Sequence, residues 1–199
     1  MNMAKKKYLK PKSISEAISY AKENENNFRY IAGGTDVIVN KFHGNDKSDC
    51  LIDISGISEL KRVDKDGDYL KIGSLVKLDD LKNYPEVKNE FPALLKAAYS
   101  VASPILRKTA TVGGNILCEN RCIFYNQNEW WREAAGYCLK CGGDICIATG
   151  GRKNCFSRFV SDMAPVLIAL NSFLEISDIG AEPMIRLEDI YTGDGVKTK

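Results

Sequence analysis

The sequence predicts an α+β fold with two lobes and a cysteine-rich insertion. In residues 1–55, short apolar strand segments alternate with helical segments, which is typical of a small α/β unit. Residues 56–199 start with a hairpin signature and continue into helices, so we expect a larger α+β lobe there. Six of the seven cysteines lie between Cys118 and Cys155, which sets that stretch apart from both lobes.

The composition is that of an ordinary globular protein. With 44% hydrophobic and 27% charged residues among 199, the chain can bury a core, which argues against a disordered or fibrous protein. The formal net charge of +2 gives no basic surplus for binding nucleic acid. No apolar run approaches the ~20 residues of a membrane span, and none follows the basic N terminus as a signal peptide requires. We therefore expect a cytoplasmic protein that binds neither nucleic acid nor a membrane.

The elements of the first lobe follow from local patterns. Ser13 and Glu16 form a capping-box pattern, and apolar residues at helical spacing follow them. The glycine-rich turn after the second strand is expected to begin a second helix. Strands are predicted at 8–9, 28–31 and 51–54, and helices at 14–24 and 37–42.

The second lobe is predicted in the same way. The polar run Asp64–Asp68 between two apolar segments is typical of a hairpin turn, and Pro92 suits the first turn of a helix. Residues 109–116 are expected to form a strand that runs into a second Gly-Gly turn. Further strands are predicted at 60–63, 69–72, 173–177 and 184–186, and helices at about 75–81, 92–102 and 163–170.

Two glycine motifs predict a ligand that bears phosphate. Ala32-Gly33-Gly34-Thr35-Asp36 stands between a strand and a helix, where glycines let backbone N–H groups approach an anion closely. It is neither the G-x-G-x-x-G dinucleotide pattern nor a P-loop. One such turn is also compatible with a simple tight turn. Because Thr111-Val112-Gly113-Gly114-Asn115 repeats the pattern, we expect one elongated ligand to bridge both motifs.

The cysteines predict a metal site. An odd number of cysteines and no export signal argue against a disulfide framework. The single histidine, His43, lies far from the cluster in sequence, which favours ligation by cysteine alone. An iron–sulfur cluster and a zinc ion held by four thiolates both remain open. Spacing alone would select the pair Cys138 and Cys141 with two other cysteines.

Three segments together resemble the FAD-binding motifs of the flavoprotein subunits of molybdenum hydroxylases, the xanthine dehydrogenase and carbon monoxide dehydrogenase group. They are residues 30–37, 102–116 and 161–165, and their order and spacing match along nearly the whole chain. The resemblance implies a two-lobed FAD-binding domain of the molybdopterin dehydrogenase (PCMH) type. The residues that it implies for FAD binding are Ile31, Ala32, Gly33, Gly34, Thr35, Asp36, Thr111, Gly113, Gly114, Asn115 and Asp162.

The resemblance also implies roles for these residues. Backbone amides of residues 32–36 would surround the pyrophosphate, and the Thr35 hydroxyl would donate to a phosphate oxygen. Asp36 would repel phosphate, so it is expected to cap the next helix or orient the loop. Residues 111–115 would contact the opposite side of the pyrophosphate or the ribityl chain, and Asp162 would accept hydrogen bonds from cofactor hydroxyls. No catalytic residue is predicted, because the chemistry would belong to the cofactor.

An insertion at about 117–158 extends the resemblance to one group of enzymes within this family. It looks like the insertion in the β subunits of 4-hydroxybenzoyl-CoA reductases, which carries a 4Fe-4S cluster. The cluster and FAD would be the two cofactors, with Cys118 and Cys141 left as free thiols. The ligands that the resemblance implies are Cys122, Cys138, Cys146 and Cys155.

The resemblance implies an electron-transfer subunit with partner chains. These are a molybdopterin-binding catalytic subunit and a 2Fe-2S subunit, assembled as a dimer of heterotrimers, with ferredoxin as electron donor. The complex would reductively dehydroxylate an aromatic CoA thioester on the catalytic partner. Alternatives are a xanthine- or nicotinate-type dehydrogenase and a cofactor-free, zinc-stapled interaction protein. The chain ends near the start of the family's C-terminal domain, so we expect that domain to be missing or supplied by another chain.

Overall fold

A three-stranded parallel sheet forms the first lobe. The computed structural model describes residues 6–177 and 184–195. The strands are ordered β1-β3-β2, and a helix follows each of the first two strands in the chain. The elements are β1 (Lys7–Leu9), α1 (Ile14–Glu23), β2 (Phe28–Ile31), α2 (Val37–Phe42) and β3 (Cys50–Asp53).

Helix α1 begins at the predicted cap. The Glu16 N–H donates to the Ser13 hydroxyl at 3.2 Å, as the capping-box pattern requires. The Glu16 carboxylate accepts from the Lys12 N–H at 2.7 Å, so the reciprocal bond closes one residue earlier than in a standard box. The predicted helix is confirmed, and its buried residue Ala17 faces the core of this lobe.

The second lobe contains two hairpins and six short helices among the described residues. The first hairpin pairs Val63 with Ile72 and Asp66 with Tyr69, so the turn contains Gly67, whose φ is +58°. The strand predicted at 60–63 therefore begins later than expected. The elements are β4 (Val63–Asp66), β5 (Tyr69–Ile72), α3 (Pro85–Glu90), α4 (Pro92–Ser100), α5 (Pro104–Arg107), α6 (Val112–Ile116), α7 (Glu129–Ala135), α8 (Met163–Ala169), β6 (Phe173–Glu175) and β7 (Met184–Arg186).

The strand and turn predicted for residues 109–116 are wrong, because Val112–Ile116 form helix α6 and the residues before it make only an isolated bridge, between Thr111 and Lys77. Thr111 is the N-cap residue, and its hydroxyl accepts from the Gly114 N–H at 3.1 Å. Val112 and Ile116, four residues apart on one helical face, are both buried in the main core. The cap and this burial outweigh the low helix propensity of two adjacent glycines.

Two apolar clusters stabilise the described part of the chain. The larger lies in the second lobe and joins α3, α4, α6 and α8 around Leu78 and Met163, which are fully buried. The smaller joins Ala17 of α1 to Ile57 and Leu75, so it crosses the predicted boundary at residue 55. That boundary stays a prediction. Within the described ranges, we find no helix with the length and apolar character needed to cross a bilayer.

The cysteine-rich insertion is a loop whose two ends meet. The N–H and carbonyl groups of Arg121 and Arg158 exchange hydrogen bonds of 2.9 and 2.8 Å. Between them, α7 and a 3₁₀ turn at Leu139–Cys141 are the regular elements in this stretch. The remaining backbone is irregular, which suits a segment that is ordered around side chains rather than around a sheet.

Candidate functional site

The first glycine motif offers a row of free amide donors. Within residues 6–177 and 184–195, the N–H groups of Gly33, Gly34, Thr35 and Asp36 have no hydrogen-bond partner. Gly34 has a φ of +72°, a left-handed conformation that glycine adopts without strain. Successive N–H groups around such a residue form a concave site for an anion. The loop therefore has the donors that a pyrophosphate needs.

The first glycine motif lies against the residues that directly precede the second. A Cβ atom added to Gly33 would stand 2.0 Å from the Thr109 carbonyl oxygen and 3.2 Å from the Ala110 nitrogen. The backbones are in such close contact that only glycine can occupy this position. The expected proximity of the motifs is therefore present, although they are separated by almost eighty residues.

The second motif uses its amide donors internally. The Val112 N–H donates to Val76, and the Gly113 N–H donates to the Ser74 carbonyl, both at 2.9 Å. The Gly114 N–H is taken by the Thr111 hydroxyl. These three N–H groups therefore already have acceptors within the chain and are not free to bind a ligand. Any contact of this segment with FAD would use other atoms, and the predicted role of residues 111–115 stays a prediction.

Asn115 connects the second motif to the third. Its Oδ1 atom accepts from the Ser161 hydroxyl at 2.9 Å and from the Met163 N–H at 3.2 Å. Ser161 also accepts from the Ala164 N–H at 3.0 Å, so it caps α8 through its side chain. Asp162 occupies the N-cap position, but its side chain makes no cap bond and is exposed. Ser161 is not among the predicted site residues, although its position three residues before Ala164 is the usual capping signal.

Asp36 orients the loop and does not cap α2 through its side chain. Its carboxylate forms an ion pair with Arg121 and accepts from Asn40 Nδ2 at 3.1 Å. It also accepts from the Glu119 N–H at 3.4 Å. Of the two predicted roles, capping is wrong, whereas the carboxylate does hold the loop against the insertion.

The four cysteines predicted as metal ligands line one cavity of about 10 Å³. The cavity is mostly apolar, with the Phe124, Tyr125 and Leu139 side chains among its other walls. The chain thus brings together thiols that are spread over more than thirty residues. They are Cys122, Cys138, Cys146 and Cys155.

N–H groups point at two of these sulfur atoms. The Ser157 N–H donates to Cys155 Sγ at 3.4 Å. The pKa of Cys146 is lowered by a hydrogen bond from the Thr149 side chain and by bonds from backbone N–H groups, among them that of Phe156. Burial of the thiol acts in the opposite direction and has the smaller effect. Such donors stabilise thiolates and are found around the sulfurs of metal centres.

The other two cysteines of the insertion lie outside this cavity. Cys141 lines a separate polar cavity of about 110 Å³, and its Sγ is 3.5 Å from Cys138 Sγ. Burial raises the pKa of Cys138, and burial raises that of Cys118 to about 11. The Cys118 thiol is therefore protonated near neutral pH.

The four-thiol cavity suits a metal centre in its donors but not in its size. Among the residues that the structure describes, no group of three or more His, Cys, Asp or Glu side chains is placed to hold a metal ion. A volume of about 10 Å³ corresponds to roughly one water molecule. Binding a cluster therefore requires the side chains of this irregular loop to move apart.

Arg132 fastens the insertion to the first lobe. Its side chain is 2% exposed, and it donates to the carbonyls of His43 and Gly44 at 3.1 and 3.3 Å. These residues follow α2, so the same helix is held near its start by Arg121 and beyond its end by Arg132. The burial of Arg132 is not visible in the sequence, because its partners in the first lobe lie almost ninety residues away. Its further partners are Asn45, Tyr125, Gln127 and Glu129.

Comparisons with known proteins agree on one family. The sequence model described as "FAD binding domain in molybdopterin dehydrogenase" matches residues 2–198. The chain is 36% identical over 111 residues to the putative xanthine dehydrogenase FAD-binding subunit XdhB of Escherichia coli K12, covering 55% of this chain and 37% of that protein. It is 30% identical over 179 residues to the aldehyde oxidoreductase FAD-binding subunit PaoB of the same organism, covering 84% and 54%.

A solved structure shows the same fold. The carbon monoxide dehydrogenase of Hydrogenophaga pseudoflava contains a chain that matches with a TM-score of 0.55 and 30% identity, covering 58% of this chain and 40% of that one. The chain thus spans between about a third and about half of the relatives that it matches.

Replacing Arg132 tests how the insertion is fastened. We expect Arg132→Met to lower the free energy of unfolding by about 1–3 kcal/mol, because the part-buried carbonyls of His43 and Gly44 lose the guanidinium that donates to them. Urea denaturation measures this change. Arg152→Met, at an exposed position in the same insertion, is the control and should change stability by less than about 0.5 kcal/mol. Equal stability of the two variants would contradict the assigned role.

Proposed function

The chain belongs to the family of FAD binding domains in molybdopterin dehydrogenases, and from this premise we propose that it carries FAD as the electron-transfer part of a molybdenum hydroxylase complex. The predicted fold class, an α+β FAD-binding domain of this type, is confirmed. The observation that carries the proposal is the row of four unpaired amides at Gly33–Asp36, packed on the Thr109 carbonyl. Because relatives extend beyond the matched region, the activity of the whole complex is part of the proposal.

The residues of the chain bind and position the cofactor. When bound, FAD supplies the hydride and single-electron chemistry of the enzyme. The N–H groups of residues 33–36 hold the pyrophosphate, and Gly33 lets the two motifs close around it. Asn115 and Ser161 tie the second and third motifs together, so the surface that meets the flavin is fixed before binding.

Flavin binding by the full chain tests this proposal. We expect about one FAD per chain, measured by flavin absorbance after gel filtration. Gly33→Ala should weaken FAD binding by about tenfold or more, because the added Cβ forces the motifs apart. Gly56→Ala is the matched control, since its Cβ would meet its nearest atom at 3.8 Å. A wild-type chain that binds no FAD would reject the function.

We propose that the chain works with a molybdopterin-binding catalytic subunit and a 2Fe-2S subunit, in a dimer of heterotrimers with ferredoxin as electron donor. In support, XdhB and PaoB are each named as the FAD-binding subunit of an enzyme, which implies further subunits in those proteins. No substrate site is assigned to this chain, because it has no nucleophile–base pair in the region of the FAD motifs that the structure describes. The mass of the co-purified complex tests the subunit composition.

We also propose that Cys122, Cys138, Cys146 and Cys155 hold a 4Fe-4S cluster. Two observations support this: the four side chains share one cavity, and N–H groups point at the Cys146 and Cys155 sulfurs. When bound, the cluster supplies one-electron transfer.

Two serine variants separate the ligand assignments. After anaerobic purification, we expect about four iron atoms and four sulfides per chain. Cys122→Ser should lower the iron content, whereas Cys141→Ser should retain it, because Cys141 lines the other cavity. The opposite result would support the Cys138–Cys141 pair as ligands. Zinc in place of iron would reject the cluster and favour a zinc-stapled insertion.

For the substrate, we propose an aromatic CoA thioester that is reductively dehydroxylated on the catalytic partner. The insertion with its four cysteines supports this choice. The similarity to XdhB favours the alternative, a xanthine-type dehydrogenase. The co-expressed complex distinguishes them: reduction of 4-hydroxybenzoyl-CoA with a low-potential donor supports the first, and oxidation of xanthine supports the second.

A further inference from the structure

Arg121 lies at the junction between the cysteine-rich insertion and the FAD loop. Its backbone closes the insertion against Arg158, and its guanidinium reaches 85 residues back in the sequence to Asp36. The same guanidinium donates to Asn40 Oδ1 at 3.1 Å. Asn40 is buried and donates in turn to Asp36, so the three side chains form a closed triangle.

This triangle stands directly beside the free amides of the loop. Asp36 is both the last of the four residues with an unpaired N–H and the acceptor of the ion pair. A carboxylate at this position would repel the two negative charges of a pyrophosphate. Arg121 supplies the compensating charge, and Asn40 and the Glu119 N–H fix the carboxylate on the side of the insertion.

We propose that Arg121 is a positioning residue for the FAD pyrophosphate, acting by neutralising Asp36 and holding it away from the loop amides. The inference rests on the proposed binding of FAD to residues 33–36. It makes the insertion part of the flavin site, since the residue before the first predicted cysteine ligand controls the charge at the phosphate loop. The effect concerns the diphosphate and not the flavin ring.

Ligands with and without phosphate separate this role from a merely structural one. We titrate the full chain with FAD and with riboflavin and follow flavin fluorescence. Arg121→Met should weaken FAD binding by about tenfold or more, because a hydrogen-bonded charge pair is lost and Asp36 is left facing the phosphates. Riboflavin, which has no phosphate, should bind as it does to the wild-type chain. Equal weakening of both ligands would overturn the proposal.

A second substitution tests the electrostatic cause. Adding Asp36→Asn to Arg121→Met removes the uncompensated carboxylate, so FAD affinity should recover by several fold. Arg121→Lys retains the charge and should bind FAD more tightly than Arg121→Met. The matched control is Arg158→Met, because Arg158 pairs with Arg121 through backbone hydrogen bonds. This variant should leave FAD affinity unchanged. No recovery in the double variant, with a melting temperature like that of the wild type, would overturn the proposal.

The failure of the proposed function has a different signature. If the wild-type chain binds neither FAD nor riboflavin, the assignment of the flavin site is wrong. If the wild-type chain binds FAD and Arg121→Met binds it equally well, the flavin site stands and the role of Arg121 is rejected.

Discussion

The contact between Gly33 and the Thr109 carbonyl is the constraint on which the site depends. It presses the loop after β2 onto the segment before α6, so that elements from both lobes meet at one point. No side chain can stand between them, because even a methyl group would overlap the carbonyl oxygen. The free amides of the first motif are consequently held beside the second motif. The hydrogen bonds of Asn115 extend this arrangement to the start of α8.

The two glycine motifs are similar in sequence but have different structural roles. In the first, Gly34 adopts a left-handed conformation and the neighbouring amides remain free for a ligand. In the second, Gly113 lies in a helix against Ser74, and the amides of α6 are satisfied by the chain itself. A glycine pair therefore serves ligand binding in one place and close packing in the other. The backbone conformation of each pair decides which.

Local signals in the sequence predicted those parts of the structure that local interactions determine. Ser13 and Glu16 predicted α1, and the alternation of short strands and helices predicted a small α/β unit in residues 1–55. Helix α6 was missed because glycine propensity argues against a helix, whereas the Thr111 cap and the burial of Val112 act for it. Tertiary packing had the larger effect, and single-residue preferences contain no information about it.

The candidate site likewise contains residues that the sequence predicts and residues that only the folded structure reveals. The motif residues could be named from the sequence because their spacing is characteristic. The positions of Arg121 and Arg132 could not, because each acts on residues more than eighty positions away. The sequence assigns no role to either residue. Their roles depend on contacts that form only when the chain folds, and no periodic pattern in the sequence indicates those contacts.

The meeting of Arg121 and Arg158 has an evolutionary consequence. A segment that leaves and re-enters a domain at adjacent backbone positions can be gained or lost in one genetic event without displacing its host. The two lobes can therefore keep their geometry whether or not such a segment is present. Arg132 acts against its loss, because its hydrogen bonds to the His43 and Gly44 carbonyls join the segment to the first lobe.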